Sequence, residues 1–234
     1  EGGHALYELN INPDYDYTVV THGATMGIHE SQSRLFENLV GRSRAFVHYL
    51  YPTLKELFPA QLADVSAEEI WRAVNRAEPG LIRTEADELT YCLHIMVRYE
   101  LEKQMFAGTI TAHDLPAAWN RLYKEYLGVD VPSDREGVLQ DSHWANGNIG
   151  YFPSYAIGSA YGAQYLLEMQ KDLDVEAAVR SGKLTAINRW LEEKIWKYGC
   201  MKDPVALFES VCGPFRPEEY VAYLEKKFTE IYEL

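Results

Sequence analysis

Cysteine is scarce. The chain has three, Cys92, Cys200 and Cys212, odd in number and widely spaced. That excludes a disulfide framework, and the lack of any C-x-x-C pair excludes a cysteine zinc knuckle. Reduced thiols of a cytoplasmic protein are expected instead. Long apolar runs are missing too, so no membrane-spanning segment is expected, and no secretory leader is read at the amino end. Basic residues are outnumbered, 22 Lys and Arg against 35 Asp and Glu, for a net charge of −13. A surface this acidic excludes nucleic acid and anionic membrane as main partners. The nucleophile elbow G-x-S-x-G is absent, as are the phosphate loop G-x-x-x-x-G-K-[ST] and a strand-borne G-x-G-x-x-G. Alternating apolar and polar residues are rare, and the one strand-like stretch is YTVVTHGA at 17–24.

What is present reads as helix, and the fold class is mainly α. Apolar residues make up 47% of the chain and aromatics 13%, including 17 tyrosines, ample for a packed core. In the stretch 28–50, Leu35/Leu39 and Phe36/Val40 repeat at i, i+4, one face of a helix. Capping-box spacings open further helices at Ser66–Glu69, Thr84–Asp87 and Thr111–Asp114, because a side chain three residues on can close the free amides of a first turn. The last of these ends at Gly128, a usual helix stop. Later helices are expected at 154–173, 175–182, 184–199 and 217–234, the last with Pro217 in its first turn. No repeat, low-complexity tract or linker divides residues 1–234, which read as a single region. Pro and Gly cluster at 128–158. A loop that long and aromatic is more often functional than a mere connection.

Four short stretches carry chemistry. The chain opens Glu1-Gly-Gly-His4. In H-E-x-x-H two histidines share one helix face with a glutamate beside the first. Here the glutamate and the second histidine are present, and the first would precede residue 1. Alone, E-x-x-H is common by chance. Glu30, in His29-Glu30 on a following helix, fits a further ligand, since a catalytic zinc takes three protein ligands and keeps one open position. Glu30 could equally pair with Arg34 at i+4, and spacing leaves the two readings even. Arg83 precedes Asp87, Tyr91, His94 and Arg98, a polar stripe on an otherwise apolar helix. Solvent is the plain expectation for that stripe and a wet cleft the alternative. Last, GVLQDSHW at 137–144 gathers Gln140, Asp141, His143 and Trp144 ahead of Tyr151 and Tyr155.

In order and spacing, EGGH at 1–4, HESQ at 29–32, IRTEAD at 82–87 and GVLQDSHW at 137–144 resemble the motifs of the thermostable metallocarboxypeptidase family typified by carboxypeptidase Taq. That family carries HEXXH, HES(G/Q), (I/V)RXXAD and GXXQDXHW. Its amino-terminal motifs, HPF and DXRXT, are absent here, so the chain reads as the carboxy-terminal half of such a fold, starting one residue inside the metal helix. The resemblance implies a helical zinc-peptidase architecture with a deep cleft. It implies zinc, with cobalt as an alternative, held by His4 and Glu30, and Glu1 as general base. Arg83 would hold the substrate carboxylate, with Asp87, Gln140 and Asp141 in the same binding set. His143 and either Tyr151 or Tyr155, equal candidates, would stabilise the oxyanion, and His29 ranks below Glu30. Peptides with a free carboxy terminus are the implied substrates and a homodimer the implied assembly. With the first zinc histidine missing, the isolated chain would be impaired. The competing reading is a non-catalytic helical scaffold that binds peptides or a partner. A dipeptidase or oligopeptidase of similar architecture is weaker, because Arg83 and the 137–155 loop favour carboxy-terminal recognition.

Overall fold

The computed structural model describes residues 1–234, which form eleven α-helices and no strand. They are α1 Gly2–Leu9, α2 Met26–Arg34, α3 Arg44–Leu57, α4 Ala67–Val74, α5 Tyr91–Phe106, α6 Leu115–Leu127, α7 Pro153–Asp172, α8 Val175–Arg180, α9 Thr185–Lys194, α10 Pro204–Cys212 and α11 Pro217–Tyr232. The chain divides into two compact units. One comprises Glu1–Asn75 with Ile157–Leu234, the other Arg76–Ala156.

In the larger unit, α2 passes through a π-helical segment, Leu35–Gly41, before α3 restarts at the Ser43 cap. The apolar pairs of that stretch do face inward: Leu35 and Val40 are buried beside Tyr7, Ile28, Tyr165 and Trp196. Two close approaches set the helix spacing. Gly3 of α1 lies against the backbone of Gln32 and Ser33 in α2, and Gly158 of α7 lies against Glu30. At both points a side chain on the glycine would occupy space its neighbour already fills. Trp196 closes this region by donating to Gln32 Oε1 at 2.8 Å.

Several local expectations hold. Ser66 and Glu69 form a complete capping box at α4, Gly128 ends α6 with φ 72°, and Pro217 opens α11. Others are corrected. The stretch 17–24 forms turns, because the Thr18 and Thr21 hydroxyls both donate to the Tyr15 carbonyl and take the place of a strand partner. The helix expected from Thr84 begins only at Tyr91. Asp87 accepts from the Thr90 amide and hydroxyl, both at 2.9 Å, and so caps the later start. Helix α10 was not foreseen, although Asp203 accepts from the Ala206 amide ahead of Pro204, an ordinary cap followed by proline.

In the smaller unit, α5 packs on α6 around Val97, Leu101, Trp119, Leu122 and Tyr123. The polar stripe of α5 is interior: Tyr91 is 4% exposed, His94 and Arg98 0%. Neither water nor an open cleft takes it up. Arg98 meets the Asp141 carboxylate, His94 the Tyr123 hydroxyl and Tyr91 the Arg83 guanidinium.

Candidate metal and polar sites

The larger unit brings His4 and Glu30 together. His4 lies on the α2-facing side of the short α1, and Glu30, 7% exposed, sits mid-way along α2. His4 Nε2 and Glu30 Oε2 are 3.1 Å apart. The Glu30 carboxylate is fixed from its own helix, by Ser33 Oγ at 3.0 Å on Oε2 and Arg34 Nε at 3.1 Å on Oε1. Pairing with Arg34 and facing His4 are therefore compatible, one through each oxygen.

A line of polar contacts runs behind His4 to His29 and Glu8. Glu8, one turn further along α1, accepts from the Gly23 amide at 2.9 Å and lies 2.6 Å from His29 Nε2. Burial would raise the Glu8 carboxyl, but the Gly23 amide and His29 outweigh it and hold it below the usual range. The carboxylate accepts only, so His29 Nε2 carries a proton. On a neutral ring His29 Nδ1 is then bare, and it faces His4 Nδ1 at 3.0 Å, which must donate. His4 Nε2 is left with a lone pair beside Glu30 Oε2. Two lone-pair donors in that position call for a positive charge, a second proton on the ring or a shared metal ion.

The donor set fits a metal. Two ligands of one tetrahedral zinc, each about 2.0–2.1 Å from it, stand about 3.3 Å apart, close to the 3.1 Å seen between Nε2 and Oε2. The set holds two ligands: no three His, Cys, Asp or Glu side chains converge where they could hold a metal. His29 turns its Nδ1 to His4 and its Nε2 to Glu8 and has no nitrogen to spare. Glu1 is exposed at the cap position of α1 and makes no side-chain capping bond.

The smaller unit holds a separate polar cluster built on Asp141. This carboxylate accepts from Arg83 Nε and Nη2, the latter at 2.7 Å, and from Arg98 Nε at 2.8 Å, and forms an ion pair with Arg98 Nη2 at 2.6 Å. Burial would raise its pKa, but the two guanidiniums outweigh that and hold it below the usual range. Gln140 braces the same loop, accepting from the Arg83 amide and Arg98 Nη2, each at 2.9 Å, and donating to the Leu81 and Glu136 carbonyls. Arg83 Nη1 donates to the Tyr91 hydroxyl at 3.1 Å, so every nitrogen of its side chain is engaged. His143 Nε2 meets the Tyr155 hydroxyl at 3.0 Å, and the Tyr151 ring lies 5.5 Å from the His143 ring. Burial lowers the His143 pKa. Asp87 is engaged by Thr90 and by the Glu78 amide at 3.0 Å. Asp141 orients Arg83.

Sequence reasoning missed Glu8, Arg98 in the Asp141 cluster, and Glu102, which accepts from Trp144 Nε1 at 2.8 Å. Glu8 left a signal in standing at i+4 from His4, and Arg98 in belonging to the polar stripe of α5.

His94 is fully buried, and burial, reinforced by Arg98, pushes its pKa down to about 4. Unfolded, it titrates near 6.5. Above that value both states are neutral. As pH falls from about 6.5 towards about 4, the unfolded chain takes the proton first and stability is lost, by about 1 kcal/mol per pH unit at the steepest. Denaturant titrations across this window should show the loss, and His94→Gln should remove its share of it.

The chain was compared with known proteins. The profile described as Carboxypeptidase Taq (M32) metallopeptidase matches residues 1–228. Carboxypeptidase 1 of Bacillus subtilis is 43% identical over 234 residues, covering 99% of this chain and 47% of the relative. Thermostable carboxypeptidase 1 of Thermus thermophilus is 43% identical over 236 residues, covering 99% and 46%. The M32 carboxypeptidase structure from Deinococcus radiodurans R1 superposes with a TM-score of 0.97 at 42% identity, covering 100% of this chain and 48% of that one. The chain thus spans about half the length of the curated relatives it matches. No helix is long and apolar enough to cross a membrane.

Proposed function

Because the chain belongs to the carboxypeptidase Taq (M32) metallopeptidase family, we propose that it supplies part of a zinc-dependent carboxypeptidase that releases residues from the free carboxy terminus of peptides. The observation that carries this reading is the approach of His4 Nε2 to Glu30 Oε2 at 3.1 Å, with His29 and Glu8 in line behind His4. His4 and Glu30 would hold the metal, zinc or cobalt. When bound, such an ion acidifies water and polarises a carbonyl. The Glu1 carboxylate takes the proton of the attacking water and hands it to the leaving amine. Tyr155, Tyr151 and His143 are the candidate donors to the developing oxyanion. Arg83 is the candidate holder of the substrate carboxylate, with Gln140 and Asp141 beside it: Asp141 and Tyr91 fix the guanidinium through Nε and one N–H of each terminal nitrogen. The homodimer and the cytoplasmic setting belong to the same reading and rest on the resemblance.

Two protein ligands hold zinc less tightly than three, so this chain alone is expected to bind zinc weakly and to hydrolyse little. The test uses amino-blocked peptides with either free or amidated carboxy termini. They are offered, with zinc, to this chain and to a version with one histidine added before Glu1 and the missing half of the fold supplied. The reading expects release only from free termini, and only by the completed form. Equal cleavage of amidated peptides, or no zinc-dependent release by the completed form, contradicts it.

A further inference from the structure

A second pair of reactive side chains lies outside both sites. Cys200 Sγ is 3.4 Å from His22 Nε2. The other nitrogen, His22 Nδ1, lies 2.9 Å from the Gly23 carbonyl. A carbonyl oxygen only accepts, so Nδ1 donates to it and Nε2 of the neutral ring offers a lone pair to the thiol, whose Sγ also lies 3.5 Å from the Val19 carbonyl. A nucleophile, a base within reach and a third group orienting the base make up the arrangement of an activated thiol. The chain holds it in place. The Cys200 amide donates to the Val20 carbonyl at 3.3 Å. Gly199, with φ 50° and with the Val20 and His22 carbonyls where a side chain would stand, admits no other residue without strain. The turn also accepts from the Tyr7 hydroxyl of α1, through the Gly199 carbonyl at 3.4 Å. Cys212 differs: it is buried, and burial pushes it up to about 12. Cys92, on α5, is half-buried as Cys200 is.

We propose that Cys200 is a modification site, a nucleophilic thiol with His22 as its proton acceptor, which forms mixed disulfides with low-molecular-weight disulfides. In the step, the Cys200 sulfur attacks one sulfur of the reagent and a new S–S bond forms. The reagent's S–S bond breaks, and its other half leaves as a thiolate. The Cys200 proton passes to His22 Nε2. Cys200 is oxidised and the reagent reduced. The site is independent of the peptidase reading, since neither residue is assigned to the metal or to substrate.

The experiment follows modification of each cysteine by 4,4′-dithiodipyridine, a small disulfide, with peptide mapping of the products. In the native chain Cys200 should react about tenfold faster than in the same chain unfolded in urea. In His22→Gln, checked for folding by circular dichroism, that gain should vanish while the Cys92 rate stays the same. A native Cys200 rate at or below the unfolded rate overturns the proposal, as does an undiminished rate in a folded His22→Gln. If that variant does not fold, the native-to-unfolded ratio of the wild-type chain decides alone.

Discussion

Asp141→Ala is expected to destabilise the Arg76–Ala156 unit by about 3–5 kcal/mol, the usual cost of breaking a buried ion pair by removing one partner. The carboxylate stands between two buried guanidiniums, Arg98 at 0% and Arg83 at 7% exposure. With the carboxylate gone, both charges stay buried and only neutral acceptors remain, the Tyr91 hydroxyl for Arg83 and the Gln140, Tyr123 and His94 oxygens for Arg98. Urea unfolding followed through Trp119 and Trp144, both in this unit, reads the loss. Because its folded pKa is depressed, Asp141 contributes fully above the ordinary carboxylate range and loses its contribution as pH falls through the folded value. The gap between wild type and variant is therefore widest near neutral pH and narrows in acid. A loss below about 1 kcal/mol at neutral pH would mean that water reaches both guanidiniums, a cost no larger than that of an exposed pair.

Gly3→Ala is expected to open the candidate metal pair while Gly2→Ala leaves it intact. A Cβ at Gly3 would fall 2.5 Å from the Ser33 amide nitrogen and closer still to the Gln32 carbonyl, whereas nothing lies within 4 Å of one at Gly2. The clashing atoms are backbone, so no rotamer relieves them and α1 must move off α2. His4 follows Gly3 directly and moves with it, away from Glu30. Overpacking of this kind costs about 1–3 kcal/mol, and zinc affinity should fall at least about tenfold, a loss of about 1.4 kcal/mol. Gly2→Ala should be neutral or stabilising by up to about 1 kcal/mol, from helix propensity alone. Calorimetric zinc titration of the two variants makes the comparison. Equal affinities would show that the α1–α2 approach does not set the pair.

The sequence disclosed what short-range chemistry controls. Ser66 with Glu69, Gly128 and Pro217 marked helix ends because each acts within one turn. It misled where a local competitor intervened, as with the Thr18 and Thr21 hydroxyls that turn 17–24 away from a strand, or Asp87 delaying α5 to Tyr91. His4 and Glu30 were legible as a motif. Their tautomers were not, because these depend on Glu8 and His29 meeting in space. The Asp141 cluster was the least legible part. Its arginines are 58 and 43 residues away in sequence, and a charged stripe reads as solvent-facing until its counter-charge is found.

His4 Nε2 and Glu30 Oε2 are proposed to share one divalent cation. Long-range nitrogen–proton NMR spectra of the histidine rings, recorded while zinc is titrated into the chain, test it most directly. The account predicts that His4 Nε2 moves to a metal-coordinated shift while its Nδ1 stays protonated against His29, and that Glu30→Gln removes the change at the same zinc concentration. An unperturbed His4 at millimolar zinc, or coordination through another histidine, contradicts it.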